Sequence, residues 1–479
     1  MNLYDLFHAT ARRQPNHPAV IMTAPGTGLS YRELDDAVTR TSDRLRAAGV
    51  VPGECIGLHC PSSAEYIIFT YAVWRCGGCV IPLAMELAAA EKQEICRCLA
   101  MDKIISAPRS VGVFSPFCCG PATELTPHAQ VFAVQALPER PAALDQINPA
   151  FIRFSSGTTG TAKGVVLSHE TVRERIAAAN EMLVIGPQDR VLWVLSMAYH
   201  FTVSIVAYLT YGATVVLPRN HFAAAIIDAV RTTECSILYA SPTHYGLLSE
   251  YPQAAPMPSL RLAISTTSAL NPRVNSQFNE RYGRPIGQAL GIIEVGLPCI
   301  DVEPAVERNS IGRVLPAYEL RMNDVGLGVE AREILLRGPG MLDAYYHPWQ
   351  TREEILINGW FHTGDVGNLD AEGHLYLTGR TKDVINVMGM KFFPQEVERV
   401  LASHPEVAAA SVFAALDDRW GEAVQARVVL RGGSRDEHLA NRLQAYCRKR
   451  IAAYKVPQQI EFVTTLPRTA SGKVLHRAL

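Results

Sequence analysis

Up to about residue 380 the chain alternates short apolar, often β-branched runs, at 111–114, 131–134, 191–195, 215–217, 237–239 and 260–264, with helix-like segments such as 31–48, 64–74 and 172–182. Runs that are apolar throughout belong to strands covered on both faces, and a helix between two such strands carries the chain back in parallel. The pattern predicts an α/β fold: a large multi-layered N-terminal domain with mainly parallel sheets. The stretch 191–218 has no Asp, Glu, Lys or Arg and is long enough to span a bilayer. It is broken, however, by Ser196, His200, Thr202, Ser204, Thr210, three tyrosines and Gly212. Buried strand, irregular turn, helix and buried strand describe it better, so a transmembrane protein is not expected. After Gly379 the texture changes to helix (394–401), strand (407–413), strand (423–430), helix (438–452) and strand (460–463). That is a small α+β unit, of a size that holds its own core. The boundary is placed at 380, giving domains 1–380 and 381–479, with the charged run Arg380-Thr381-Lys382-Asp383 as the expected hinge.

Residues 155–161 are seven consecutive hydroxyl or glycine residues, followed by Ala162 and Lys163, with the apolar Ile152 and Phe154 before them and Val165, Val166 and Leu167 after them. Glycines let backbone N–H groups turn toward anionic oxygens, the hydroxyls of Ser155, Ser156, Thr158 and Thr159 add donors, and Lys163 adds charge. This is the composition of a phosphate cradle. The spacing is not that of a P-loop, because Lys163 is followed by Gly164 and only two residues separate Gly157 from Gly160.

A 48% hydrophobic and 19% charged composition with a net charge of -1 describes an ordinary globular protein and offers no basic stripe for nucleic acid. Eleven irregularly spaced cysteines fit free thiols in a reducing, cytoplasmic setting. Cys76-Gly-Gly-Cys79 has redox or zinc spacing, but its apolar surroundings and the lack of a second pair favour small buried residues. Residues 1–13 mix charges with apolar residues, so no signal peptide is expected.

The loop is followed in order by Gln288-Ala-Leu-Gly-Ile-Ile-Glu294, Gly338-Pro-Gly340, Gly359-Trp-Phe-His-Thr-Gly-Asp365, Gly379-Arg-Thr-Lys-Asp-Val-Ile385, Gly389 with Pro394-Gln-Glu-Val-Glu398, and Pro467-Arg-Thr-Ala-Ser-Gly-Lys473. This series resembles the adenylate-forming superfamily of acyl- and aryl-CoA synthetases, stand-alone adenylation domains and luciferases, over essentially the whole chain. The resemblance implies an N-terminal domain that binds ATP and a carboxylic acid and a mobile C-terminal domain. It implies a ligase that activates the acid to an acyl-adenylate with release of pyrophosphate, then passes the acyl group to a thiol, with CoA as the first choice. A separate carrier protein's phosphopantetheine is the alternative acceptor, and a non-catalytic nucleotide-binding relative is a second alternative. With six residues after Lys473, no fused carrier domain is expected.

By the same resemblance, Ser155, Ser156, Gly157, Thr158, Thr159, Gly160 and Lys163 hold the phosphates of ATP and Glu294 holds Mg2+. Gln288 is placed on the nucleotide, Asp365 on the ribose hydroxyls, and Arg380 beside Asp365. Lys473 bridges carboxylate and α-phosphate in the first step; with Glu294 and His200 it makes up the catalytic set. His200, Phe201, Ser204, Tyr239 and Gly291 line the acyl site, Gly389 the thiol channel, and Lys382 is the hinge. The chain departs from the pattern at Leu290-Gly-Ile-Ile293, where relatives carry Tyr-Gly-x-Thr, and at Thr266-Thr267, where they carry glycines. Residues 196–204 contain no carboxylate to pair with a substrate ammonium, and an unpaired buried ammonium is strongly unfavourable. A non-amino acid, aryl or fatty, is expected.

Overall fold

The computed structural model describes residues 2–24, 27–135, 139–155, 163–253, 255–324, 332–387, 390–417, 421–432 and 438–466. Contacts divide the chain into two compact units, one comprising Met1–Arg308, Leu315–Glu319 and Arg337–Gly359, the other Asn309–Val314, Leu320–Leu336 and Trp360–Leu479. The segment expected as hinge, 380–383, lies inside the second.

In the first unit the apolar runs become the centres of two sheets. One has the order Gly296–Ile300, Gly287–Ile292, Leu262–Ser265, Ile237–Ala240, Arg190–Trp193, Thr214–Leu217, Pro18–Met22, Gly28–Ser30. Its interior pairings are parallel and its two end pairings antiparallel. The other has the order Gln350–Thr351, Ala344–Tyr345, Lys163–Ser168, Pro149–Ser155, Cys79–Pro82, Cys55–His59, Lys103–Ser106, Ala129–Ala133, Thr123–Thr126. Its centre is parallel, while Pro149–Ser155 and Lys163–Ser168, on either side of residues 156–162 in sequence, pair antiparallel. The mixed α/β architecture is the expected one.

The uncharged stretch resolves into the strand Arg190–Trp193, the short helix Met197–His200, the 3-10 turn Phe201–Val203, the helix Ile205–Thr210 and the strand Thr214–Leu217. Among the described residues no helix is long and apolar enough to cross a membrane. One expected strand is absent: 111–114 falls within the 3-10 segment Pro108–Phe117. Pro108 at its start and Pro116 inside it lack the N–H a ladder needs, and Phe114 and Phe117 are buried. Cys76 and Cys79 are free buried thiols, with Cys79 opposite Cys55 in adjoining strands.

Local chemistry fixes the entry to the helix that follows the cradle strands. Ser168 ends Lys163–Ser168 and its hydroxyl accepts the Thr171 N–H at 3.0 Å, capping His169–Leu183 without an intervening loop.

The second unit contains a four-stranded sheet in the order Glu319–Asn323, Arg332–Arg337, Phe361–Leu369, Leu375–Arg380 and a three-stranded sheet Val407–Asp417, Gly421–Leu430, Gln459–Phe462. The helices Pro394–Ala402 and Leu439–Arg448 share a core with the latter through Val397, Leu401, Leu439 and Leu443. The α+β character expected after residue 380 is present. The second helix stops at Arg448, and a 3-10 turn Ala453–Lys455 follows.

Candidate active site

The strand Lys163–Ser168 is joined by residues distant in sequence. Ala344–Tyr345 adds to the sheet beside Lys163–Ser168, with Ala344 opposite Val166 and Tyr345 opposite Val165. This brings the Tyr345 ring under Lys163, whose Nζ lies 4.1 Å from the ring centroid, a cation–π distance. The Tyr345 hydroxyl donates to Glu294 Oε1 at 3.2 Å, and the Leu342 N–H donates to the Glu294 carbonyl at 2.7 Å. Lys163, Tyr345 and Glu294 therefore form one group. Burial, then the Glu294 charge, pushes the Tyr345 phenol far up, so it stays a donor.

The 340–352 segment that carries Tyr345 is locked by polar contacts. Asp343 accepts the Ser168 N–H at 2.6 Å, the Thr171 hydroxyl at 2.8 Å and Arg352 Nη2 at 2.8 Å. Arg175, almost wholly buried, donates through Nε to the Gly340 carbonyl and through Nη1 to the Ile293 carbonyl at 2.7 Å. Burial pulls Arg175 down to about 10. Gly340 has φ +68°, and a Cβ there would lie 2.5 Å from Arg175 Cγ and 2.8 Å from the Thr171 carbonyl oxygen. Only glycine fits the Gly338-Pro-Gly340 turn at that point.

Among the residues expected to line the acyl site, the His200 and Trp193 rings meet edge-on at 6.3 Å, and Trp193 stacks on Tyr239 at 6.0 Å with an interplanar angle of 6°. Phe201 is buried among Tyr66, Tyr71 and Trp74, and Ser204 is buried at the start of Ile205–Thr210. Gly291 is exposed, with nothing within 4 Å of where a Cβ would sit. Gln288 is buried and its Oε1 accepts the Leu270 N–H at 2.9 Å. Ser241 Oγ lies 2.7 Å from His244 Nδ1, whose ring is 5.9 Å from that of His221. Burial, then the nearby His221, pulls His244 down to about 4, so at neutral pH it is an uncharged imidazole.

In the second unit Asp365 and Arg380 are register partners on neighbouring strands, and Arg380 Nε donates to Asp365 Oδ1 at 2.7 Å. Arg380 Nη2 also donates to the Thr363 carbonyl at 3.1 Å, and the Asp365 N–H donates to Thr363 Oγ1 at 2.9 Å. The carboxylate is thus held at both backbone and side chain. Lys382 is exposed in the short turn Thr381–Asp383. The strand Pro149–Ser155 ends at Ser155, whose side chain, with Ser156, Gly157, Thr158, Thr159, Gly160, Gly389 and Lys473, lies outside the described residues.

Tyr345, Arg153 and Arg175 were not among the residues singled out from sequence. The readable signals were a Tyr-Tyr pair just after Gly338-Pro-Gly340 and arginines placed within otherwise apolar strand and helix patterns. Arg153 Nη1 donates to the Tyr199 carbonyl at 2.6 Å, and its guanidinium lies 5.4 Å from the Tyr199 ring centroid.

Two sheets with mainly parallel interiors, and a lysine and a carboxylate joined by a tyrosine, characterise the first unit. The profile of the AMP-binding enzymes matches residues 7–346, and that of the AMP-binding enzyme C-terminal domain matches residues 396–473. The chain belongs to the AMP-binding enzyme family. It is 31% identical to the indoleacetate–CoA ligase of Aromatoleum aromaticum over 99% of this chain and 96% of the relative. It is 29% identical to a feruloyl-CoA synthase of Amycolatopsis sp. over 97% and 96%. Among solved structures, the o-succinylbenzoate CoA synthetase of Bacillus subtilis, in complex with its acyl-adenylate intermediate, superposes with a TM-score of 0.82 at 26% identity, covering 99% of this chain and 97% of that one.

Proposed function

We propose that the protein is an acid–thiol ligase that converts a non-amino carboxylic acid and ATP to an acyl-adenylate and pyrophosphate, then transfers the acyl group to CoA with release of AMP. The grouping of Lys163, Tyr345 and Glu294 at the end of the cradle carries the reading. A cation and a carboxylate held by one tyrosine suit a nucleotide triphosphate, whose negative charge Lys163 meets directly. The donor set fits Mg2+, which favours one or two carboxylates together with phosphate oxygens and water. Glu294 would hold the ion, which when bound neutralises charge on the phosphates.

The chain's own residues have distinct tasks in this reading. Residues 155–160 donate to the phosphates, while Asp365, steadied by Arg380, accepts the two ribose hydroxyls. Gln288 supports the nucleotide side through its hold on the Leu270 backbone. Lys473 bridges the attacking carboxylate and the α-phosphate, after which the domain beyond Lys382 turns and Gly389 lines the path of the thiol. His200, Trp193 and Tyr239 supply flat aromatic surface, and residues 196–204 contain no carboxylate, which favours an aryl-substituted acid over a fatty or an amino acid.

The test is pyrophosphate release from ATP across a panel of aryl, aliphatic and α-amino acids, with mass spectrometry of the adenylate. Aryl acids are expected to lead. An amino acid better by about tenfold would overturn the substrate reading, and silence across the panel would point to a non-catalytic relative. Adding CoA or a holo carrier protein to the adenylate then separates the two acceptors, with CoA expected to be consumed.

A further inference from the structure

Arg153 is a cation that no carboxylate contacts among the described residues, placed beside Tyr199 and the residues assigned to the acyl site. It lies on the strand Pro149–Ser155, where its neighbours Ile152 and Phe154 pack into one apolar core and strand alternation turns Arg153 to the opposite face. There Nη1 is bonded to the Tyr199 carbonyl and the guanidinium stacks over the Tyr199 ring. Its Nε is buried and has no hydrogen-bond partner. No carboxylate among the described residues forms an ion pair with it, whereas Arg261 has Asp189 at 2.8 Å and Arg352 has Asp343 at 2.8 Å. The Glu294 charge reaches Arg153 without ion-pair contact, and Glu86 and Glu91, the carboxylates whose charges reach Tyr199, are exposed. Tyr199 precedes His200, which leads through Trp193 to Tyr239. A partly buried guanidinium with an unused buried donor and no carboxylate in contact is placed to take an anion from a ligand.

We propose that Arg153 recognises a second anionic group on the acid, a carboxylate or sulfonate apart from the one that is activated, so that the preferred substrate is an aryl acid with two acidic groups. The inference rests on the adenylation reading above and narrows its substrate class. The second group, rather than the reacting one, is assigned to Arg153 because the reacting carboxylate already has Lys473 in the reading above. A planar fork meets a carboxylate with two parallel hydrogen bonds.

Matched acids test this: phenylacetate, 4-methylphenylacetate and 4-carboxyphenylacetate, assayed by ATP-dependent pyrophosphate release with wild type, Arg153→Gln and Arg153→Lys. Wild type is expected to favour the dianionic acid by about tenfold or more in kcat/KM. Arg153→Gln is expected to lose about thirtyfold on that acid while staying within about threefold on the two monoacids, and Arg153→Lys to recover part of the loss. Thermal unfolding of each variant confirms that it is folded, and if Arg153→Gln is not, the wild-type preference and the Arg153→Lys result decide. Equal losses on all three acids would assign Arg153 to the reacting carboxylate or the nucleotide and overturn the proposal. So would a wild-type enzyme that turns over the monoacids in preference to the diacid, which leaves adenylation itself standing. Pyrophosphate from none of the three, nor from any acid of the wider panel, would remove both readings together.

Discussion

Replacing Tyr345 with Phe removes one oxygen and leaves the ring that Lys163 sits over. The hydroxyl donates to Glu294 at 3.2 Å, toward the long end of the range, so its loss is set at the lower limit for a hydrogen bond to a charged group, about 1.5 kcal/mol. That corresponds to about a tenfold fall in kcat/KM for ATP. Tyr345→Leu removes the ring as well, forfeiting a contact of about 0.5–1 kcal/mol with Lys163, or about a further twofold to fivefold. Because the hydroxyl orients the carboxylate assigned to Mg2+, Tyr345→Phe is also expected to raise the Mg2+ concentration that half-saturates the reaction. Pyrophosphate exchange at varied ATP and Mg2+ measures both quantities, and Tm verifies that neither variant is merely unfolded. If Tyr345→Phe matched wild type in ATP and Mg2+ dependence while Tyr345→Leu lost activity, Tyr345 would serve only as packing and the reasoning would be refuted.

Three further outcomes follow from the structure. Gly340→Ala is expected to destabilise the protein by about 3 kcal/mol, combining a left-handed φ with a clash on Arg175 and the Thr171 carbonyl; an unchanged urea midpoint would mean that the turn yields. His169, buried with Nδ1 accepting the Leu3 N–H at 3.1 Å, is pulled by burial down to about 4. Between the ordinary histidine value near 6.5 and about 4 the unfolded chain binds its proton and the folded chain does not, so stability falls with pH across that window by about 1.4 kcal/mol per unit. Folded His169→Gln should show a shallower decline between pH 6.5 and 4.5, and an identical slope would contradict the assignment. Lys473→Ala is expected to abolish adenylate formation and to spare thioester formation from a supplied acyl-adenylate, while Lys382→Pro should spare the first step and slow the second, since proline fixes φ where a hinge must change it. Equal losses in both half-reactions for Lys473→Ala would count against the alternating use of the C-terminal domain.

What was readable in the sequence follows from how local its causes are. Runs such as 215–217 and 237–239 declare themselves because a strand covered on both faces has no room for charge, and they lie in parallel pairs at the centre of one sheet. The same apolar look at 111–114 misled, because Pro108 and Pro116 outweigh valine when a ladder N–H is missing. Asp365 and Arg380 were legible as motif residues, and their meeting follows from a hairpin within one local sheet. Tyr345 was not legible: its place depends on Ala344–Tyr345 pairing with a strand almost two hundred positions earlier in the chain and on the Asp343 contacts that hold it there. Arg153 was hidden for a related reason, since only the packing of Tyr199 across from it shows that one of its donors, Nε, is left unused.

The central claim is that the carboxylate attacks the α-phosphate of ATP. Supplying the acid with both carboxylate oxygens as 18O, together with ATP and CoA, tests it in one mass spectrum. Attack at the α-phosphate transfers one labelled oxygen to AMP and leaves pyrophosphate unlabelled, which is the expected result. Label in inorganic phosphate with ADP as the nucleotide product would place the attack at the γ-phosphate, and unlabelled AMP would mean that no acyl-adenylate forms; either would contradict the account.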